Sequence, residues 1–259
     1  MPDSLRPKFR HAAFAVWARN MLVFRKMIGP SIVINFGEPL LWLVGLGFGL
    51  GMYIGEQMDM PYLTFLASGF LAASAMNTAT FEALFGVFTR MVPQKSYDAM
   101  LASPIEIADI LAGEVLYCAT KSVIHSSGIL IVAALLGAVS GWQALWVLPI
   151  LFLVGLTFAS LALIMTAFAG SYAYFSYYTT LVMMPLMMLS GVFYPISALP
   201  VVMQKILYGL PLIHAVQLVR PLMAGQPVTD VALHLTVLIA YGVIGYLIGV
   251  RLVRKRLSV

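Results

Sequence analysis

Residues 142–169 run without a single Asp, Glu, Lys or Arg. As a helix this segment extends roughly 42 Å, more than the ~30 Å hydrocarbon core of a bilayer. In water such a rod would expose apolar surface on every side, so it belongs in lipid. Five further segments of comparable character are predicted to span: 28–54, 62–85, 107–136, 172–194 and 231–250. Composition agrees. Apolar residues make up 61% of the 259, and charged residues only 10%, against about a quarter in a soluble domain. So little charge excludes a soluble enzyme, a disordered chain and a nucleic-acid-binding module.

Six spans leave no stretch long enough for a soluble domain of ~100 residues. The expectation is one all-α integral membrane domain over 1–259, with spans within 28–250 and a basic tail at 251–259. The single cysteine, Cys118, sits in an apolar run and reads as packing. The N-terminal segment lacks the apolar core of a cleavable signal. Residues 9–27 instead place Phe9, Ala13, Val16, Trp17, Met21 and Phe24 at three- and four-residue steps, with Arg10, Arg19 and Arg25 between them. That pattern predicts an amphipathic helix at the membrane surface.

Most of the basic residues fall on one side. Arg6, Lys8, Arg10, Arg19, Arg25 and Lys26 precede the first span; Arg90 and Lys95 lie between the second and third; Arg251, Arg254, Lys255 and Arg256 follow the last. By the positive-inside rule, both termini and the 90–104 loop are expected in the cytoplasm of a bacterial inner membrane. A net charge of +5 therefore needs no nucleic acid to explain it.

Catalytic patterns are missing. Lys95-Ser96 and Lys121-Ser122 lack the glycine of a phosphate-binding loop. The histidines are scattered, with no His-Glu-x-x-His, and no Gly-x-Ser-x-Gly occurs. Neither a metal nor a catalytic residue is expected.

Ionisable groups in apolar spans are more informative, because each costs at least ~2.5–3.5 kcal/mol at the bilayer centre. Glu38, Glu82, Glu114 and Lys121 are such groups, and Glu38 stands beside helix-breaking Pro39 in a span that also holds Asn35. They read either as pathway lining and gating groups or as structural polar contacts between spans. Glu114 and Lys121 are seven residues apart, too far for a direct i,i+4 pair. Gly45, Gly47, Gly49 and Gly51 make two small-x-x-x-small lines for close helix packing or a dimer contact, and Gly245/Gly249 repeat the pattern. Tyr174, Tyr177 and Tyr178 gather at one end of the fifth span, as an interfacial belt or a lining for an amphiphilic or sugar-bearing molecule.

Two non-spanning segments stand out. Residues 90–104 contain Arg90, Pro93, Lys95, Tyr97, Asp98, Met100, Leu101 and Pro104; a short helix at 96–102 would suit docking into another protein's groove. Residues 196–227 are broken by Pro200, Pro211 and Pro221 into short outer helices or re-entrant pieces, a lid over a path.

These segments carry a resemblance. Ser190-Gly191-Val192-Phe193-Tyr194-Pro195, followed by Leu199-Pro200, Leu210-Pro211-Leu212, His214-Ala215 and Arg220-Pro221, resembles the signature of ABC-2 exporter permeases. Gly37-Glu38-Pro39, Gly45-Leu46-Gly47-Phe48-Gly49-Leu50-Gly51, Ala79-Thr80-Phe81-Glu82-Ala83-Leu84 and Ser103-Pro104 are similar to the NodJ group within that family. The resemblance implies a six-span permease that forms a homodimer and pairs with two copies of a separate ATP-binding subunit, which holds ATP and Mg. It implies that 90–104 is the coupling segment, that spans one and five line the path, and that Phe193, Tyr194, Pro195, Pro200, Pro211 and His214 belong to the outer segment. NodJ-type permeases export lipo-chitooligosaccharides, so an amphiphilic, lipid-linked or glycolipid-like substrate is expected. A drug or polysaccharide exporter, a proton-coupled secondary transporter and a lipid-modifying membrane enzyme are the alternatives.

Overall fold

The computed structural model describes residues 12–26, 40–54 and 60–257, and every regular element among them is helical. Helix α1 is Ala12–Arg25. The first span's described part, α2, comprises a π-helical stretch Leu43–Phe48 and a turn Gly51–Ile54. Helix α3 is Tyr62–Phe81, continued through a π-helical segment Glu82–Val87 into Phe88–Met91. A short helix, α4, is Ser96–Leu101. Then come α5, Ile107–Leu135, and α6, Val147–Phe168, the latter preceded by a 3₁₀ turn Trp142–Trp146. Helix α7 joins Ala173–Tyr178, the π-helical Thr179–Met183 and Met184–Leu189. Helices α8, Val201–Leu207, and α9, Pro211–Met223, precede α10, Val231–Leu257.

Among the described residues, three helices are long and apolar enough to cross a membrane: Ile107–Leu135, Trp142–Phe168 and Val231–Leu257. A fourth results if α8 and α9, which meet at 96°, are one broken span. Helix α3 is less apolar for a physical reason. It packs against α5, α6 and α9, so nearly all of its first 20 residues face protein. Small and hydroxyl side chains such as Ser68, Ser74 and Thr80 are buried there, where they let helices approach closely.

The chain runs up and down between two ends. At one end Tyr246 donates to the Ala108 carbonyl and Arg256 to those of Thr166 and Ala167. At the other, the Ser140 amide donates to Met223 O, and Arg220 reaches the Gly191 carbonyl. Each half has its own apolar core, one around Leu66, Met76, Leu151 and Val216, the other around Leu84, Tyr97, Leu111 and Phe175. The last span is longer than the 231–250 expected, because the basic tail continues the helix to Leu257.

Glycines set the helix crossings. A side-chain Cβ at Gly245 would lie 3.0 Å from Leu161 N, and one at Gly249 2.9 Å from Leu163 Cβ, so α10 lies directly on α6. In α2 the two glycine lines separate. Gly47 and Gly51 face Leu63 and Tyr62 of α3, while Gly45 and Gly49 have nothing within 4 Å of a Cβ position. The N-terminal helix departs from expectation. Its buried stripe is Ala12, Val16, Asn20 and Phe24, a four-residue step that rests on α5 rather than on lipid alone. Phe14, Leu22 and Val23 point away from the protein.

At the α1–α5 crossing a Cβ on Gly113 would collide with the Ala13 carbonyl oxygen and the Val16 side chain. Gly113→Ala is expected to lower stability by about 1–3 kcal/mol, read as a lower thermal unfolding midpoint of the purified chain in detergent. Gly45→Ala should leave that midpoint unchanged. Equal midpoints for the two would mean that the α1 crossing is loose.

Candidate functional site

Glu114 on α5 is wholly buried. An ionised carboxylate there needs both a counter-charge and hydrogen-bond donors. Arg90 supplies a two-pronged contact: its Nε donates to Oε1 at 2.9 Å and its Nη2 to Oε2 at 2.7 Å. The Asn20 amide of α1 adds a third bond at 2.9 Å. Arg90 Nη2 also meets Glu82 Oε1 at 3.1 Å, and the second Glu82 oxygen receives Lys121 Nζ at 2.6 Å. Two carboxylates and two cations thus form one chain, Glu114–Arg90–Glu82–Lys121, with no net charge. Glu114 and Lys121 do not touch; the 82–90 segment of α3 bridges them.

Local sequence explains the bridge. Glu82, Gly86 and Arg90 stand at four-residue steps on one face. A Cβ on Gly86 would fall on the Glu82 carboxylate, so glycine leaves the groove along which Glu82 extends toward Arg90. Glu82 also opens the π-helical segment, and such insertions re-aim side chains at functional positions. Aromatic rings wrap the cations: Arg90 lies 5.5 Å from the Tyr117 ring centre and Lys121 5.7 Å from that of Phe24.

The α4 helix plugs into this cluster from below. Lys95 adopts a left-handed backbone (φ 49°) that turns the chain back after α3, a conformation uncommon for a residue with a Cβ. Tyr97 then enters the core, fully buried. Its hydroxyl has no hydrogen-bond partner among the described residues, and burial, with Glu114 nearby, pushes the phenol well above its usual range. Met100 accepts a weak contact from Arg19 Nη1 at 3.5 Å, and Arg19 Nη2 donates to Asn20 Oδ1 at 3.0 Å. A contact path therefore leads from α4 through Arg19 and Asn20 to Glu114.

The path continues to α7. Thr89 and the Tyr172 hydroxyl lie 2.8 Å apart. Phe85 stacks on Tyr172, and Phe88 meets Phe175 edge-on at 5.2 Å. Helix α7 in turn leaves a face uncovered: Tyr174, Tyr177, Leu181, Met184 and Met188 recur at three- and four-residue steps, all exposed. Tyr178 is half-buried between the two cores.

Expected site residues divide accordingly. Glu82, Glu114 and Lys121 come together as one cluster. Arg90, expected in the loop, is instead an inward-pointing member of that cluster, because α3 continues to Met91. Lys95, Asp98, Pro93 and Pro104 are exposed around α4, with Met100 and Leu101 half-buried. Phe193, Tyr194 and Pro195 are half-buried beside α3, Pro200 is exposed, and Pro211 starts α9. His214 is buried, its Nδ1 2.7 Å from Nδ1 of His234 on α10. Asn35 and Glu38 lie outside the described residues. Sequence reading missed Asn20, Gly86, His234 and Arg220. The four-residue spacing of Glu82, Gly86 and Arg90 was a signal for one of these, as was Asn20 in step with Val16 and Phe24.

Residues 11–224 match the model of the ABC-2 type transporter family. The chain belongs to this family. As an ABC-2 permease it is an integral inner-membrane transport component that works with an ABC ATP-binding partner, not an enzyme in its own right. It is 44% identical over 243 residues to Nodulation protein J of Rhizobium leguminosarum bv. viciae, covering 94% of each chain. It is 39% identical over 254 residues to Nodulation protein J of Bradyrhizobium diazoefficiens, covering 98% of this permease and 97% of that one. The inner membrane transport permease YadH of Escherichia coli (strain K12) is 26% identical over 245 residues, with 93% and 94% covered.

Removing Arg90 from this permease leaves Glu114 with Asn20 alone. Arg90→Ala is expected to cost about 3–5 kcal/mol, seen as a large drop in unfolding midpoint in detergent. Lys121→Ala should cost clearly less, because Lys121 is 29% exposed. Tyr97→Phe should leave the midpoint unchanged, since the hydroxyl has no hydrogen-bond partner among the described residues. A Tyr97→Phe loss as large as that of Arg90→Ala would contradict this placement.

Proposed function

We propose that this permease exports an amphiphilic molecule, lipid-linked or glycolipid-like in the manner of a lipo-oligosaccharide, using ATP and Mg held by its partner. It works as a homodimer with two ATP-binding subunits. It spans the membrane six times as one domain, with both termini and the 90–104 loop in the cytoplasm. Three long apolar helices, α3 and α7 are consistent with that count, the first span being described from residue 40 onward. The paired basic ends of α1, α4 and α10 support the orientation.

One observation carries the mechanism: α4 is joined to the spans by the Met100, Arg19, Asn20 and Glu114 path, with Tyr97 buried beside it, rather than hanging free. The partner grips the outer face of α4 at Lys95, Asp98 and Ala99, all exposed. ATP binding moves α4; Tyr97 and Met100 carry the displacement to the cluster, and the aromatic contacts pass it to α7. Different contacts in two states are what such coupling requires. On α7, Tyr174 and Tyr177 offer hydroxyls for sugar or headgroup, and Leu181, Met184 and Met188 a pliable apolar track for acyl chains. Each carboxylate of the cluster already has a cation, which favours a mechanical role over proton carriage. A drug or polysaccharide exporter is the second reading, within the same ABC-2 family.

Reconstituting the permease with and without its ATP-binding subunit in lipid vesicles tests this. Export should require both subunits and ATP. It should fall at least tenfold in an Asp98→Arg/Ala99→Glu variant that still purifies folded. Transport by the permease alone down a proton gradient would overturn the proposal. An unchanged envelope glycolipid profile in a deletion strain would remove the lipid-linked substrate.

A further inference from the structure

Arg220 on α9 is a largely covered cation outside that cluster. Its Nε donates to Ser68 Oγ at 3.2 Å, and its Nη2 to the carbonyls of Gly191 at 2.6 Å and Phe65 at 3.5 Å. Its guanidinium carbon stands 3.6 Å above the Phe65 ring centre. Among the described residues no carboxylate forms an ion pair with it, so every partner is neutral. One side chain thereby ties three elements: α9, α3 and the turn that follows α7.

That turn sits tightly. Gly191 has φ +76°, a left-handed conformation suited to glycine, which turns its carbonyl toward Arg220. A Cβ on Gly69 of α3 would lie 2.7 Å from Val192 O, so the turn rests on helix backbone. Phe193 meets Phe70 edge-on at 6.4 Å. Around the corner, α10 fixes the α8–α9 bend: Tyr241 donates to the Gly209 carbonyl at 2.7 Å, and the His214–His234 pair lies alongside.

We propose that Arg220 is the latch of the outer gate, a positioning residue that holds the 190–195 turn closed on α3 until α7 moves. This rests on the export reading above. Every acceptor is neutral, so opening the latch separates no ion pair and leaves no opposite charge buried without its partner, and the latch can open within a transport cycle. Lysine, whose three donors radiate from one nitrogen instead of spreading over a planar fork, serves Ser68, Phe65 and Gly191 together less well.

The test uses the full complex in lipid nanodiscs, with Cys118→Ser and a reporter Phe193→Cys labelled from outside by a membrane-impermeant maleimide. Without nucleotide the latched permease should label slowly. Arg220→Gln should raise the rate at least tenfold, and Arg220→Lys should fall between. ATP hydrolysed per molecule exported should rise in the same order, an uncoupling that simple loss of fold would not produce. Gly69→Ala, which crowds Val192 without touching Arg220, should also speed labelling, and serves if the arginine variants fail to fold. Unchanged labelling in folded Arg220→Gln or, failing that, in Gly69→Ala overturns the latch. Labelling needs no export, so the latch stands or falls apart from the identity of the substrate.

Discussion

A carboxylate with no access to water is the constraint around which this permease is arranged. Glu114 can remain ionised inside the bundle only while Arg90 and Asn20 hold it, and each comes from a different element. Arg90 ties the end of α3 to α5, and Asn20 ties α1 to the same point. Glu82 then balances Arg90 and draws in Lys121. Buried ion pairs are weak evidence for stability, because desolvation offsets most of the attraction, but they are strict about geometry. Displacing one member leaves another charge unmatched. Such a cluster resists small distortion and moves as a unit, which is what a transmission element between a cytoplasmic subunit and membrane helices needs.

The two ends of the molecule use charge differently. At the α4 end, four charges neutralise one another and bind helices into a block. At the opposite end, Arg220 works alone against neutral carbonyls and an aromatic face. The first arrangement suits a rigid lever, the second a contact that must break and reform. Helix α7 links them, fastened by Tyr172 and Phe175 to α3 at one end and ending at Gly191 in the grip of Arg220 at the other. Its π-helical segment, Thr179–Met183, lies between these fixed points.

Much of this was legible in the sequence. Long, mainly apolar runs placed α5, and α6 together with its 3₁₀ lead-in, almost to the residue, since lipid and length leave few options. Pro93 and Pro104 bracketed α4, and the proline-broken 196–227 stretch foretold the α8–α9 bend. Partnerships between charges were harder. Arg90 reads as a loop residue by composition, and only the continuation of α3 to Met91 turns it inward. Arg220 and Ser68 are 152 positions apart, and no local pattern pairs them. For α1, the apolar stripe gave the helix and its covered side, with Val16 and Phe24 buried and Ala13, Trp17 and Met21 half-buried, but not that α5 supplies much of the cover or that polar Asn20 sits within it.

The central claim is that the cluster carries motion from α4 to α7. Environment-sensitive fluorophores at Ala99 and, separately, at Met188 test it in the ATPase-bound permease after rapid mixing with ATP. Both positions are exposed and lie outside the cluster. In the native sequence both signals should change together. In a Glu82→Gln/Glu114→Gln permease, nearly isosteric but without the ion pairs, Ala99 should still respond while Met188 stays silent. A Met188 response of native size in that variant would contradict the account.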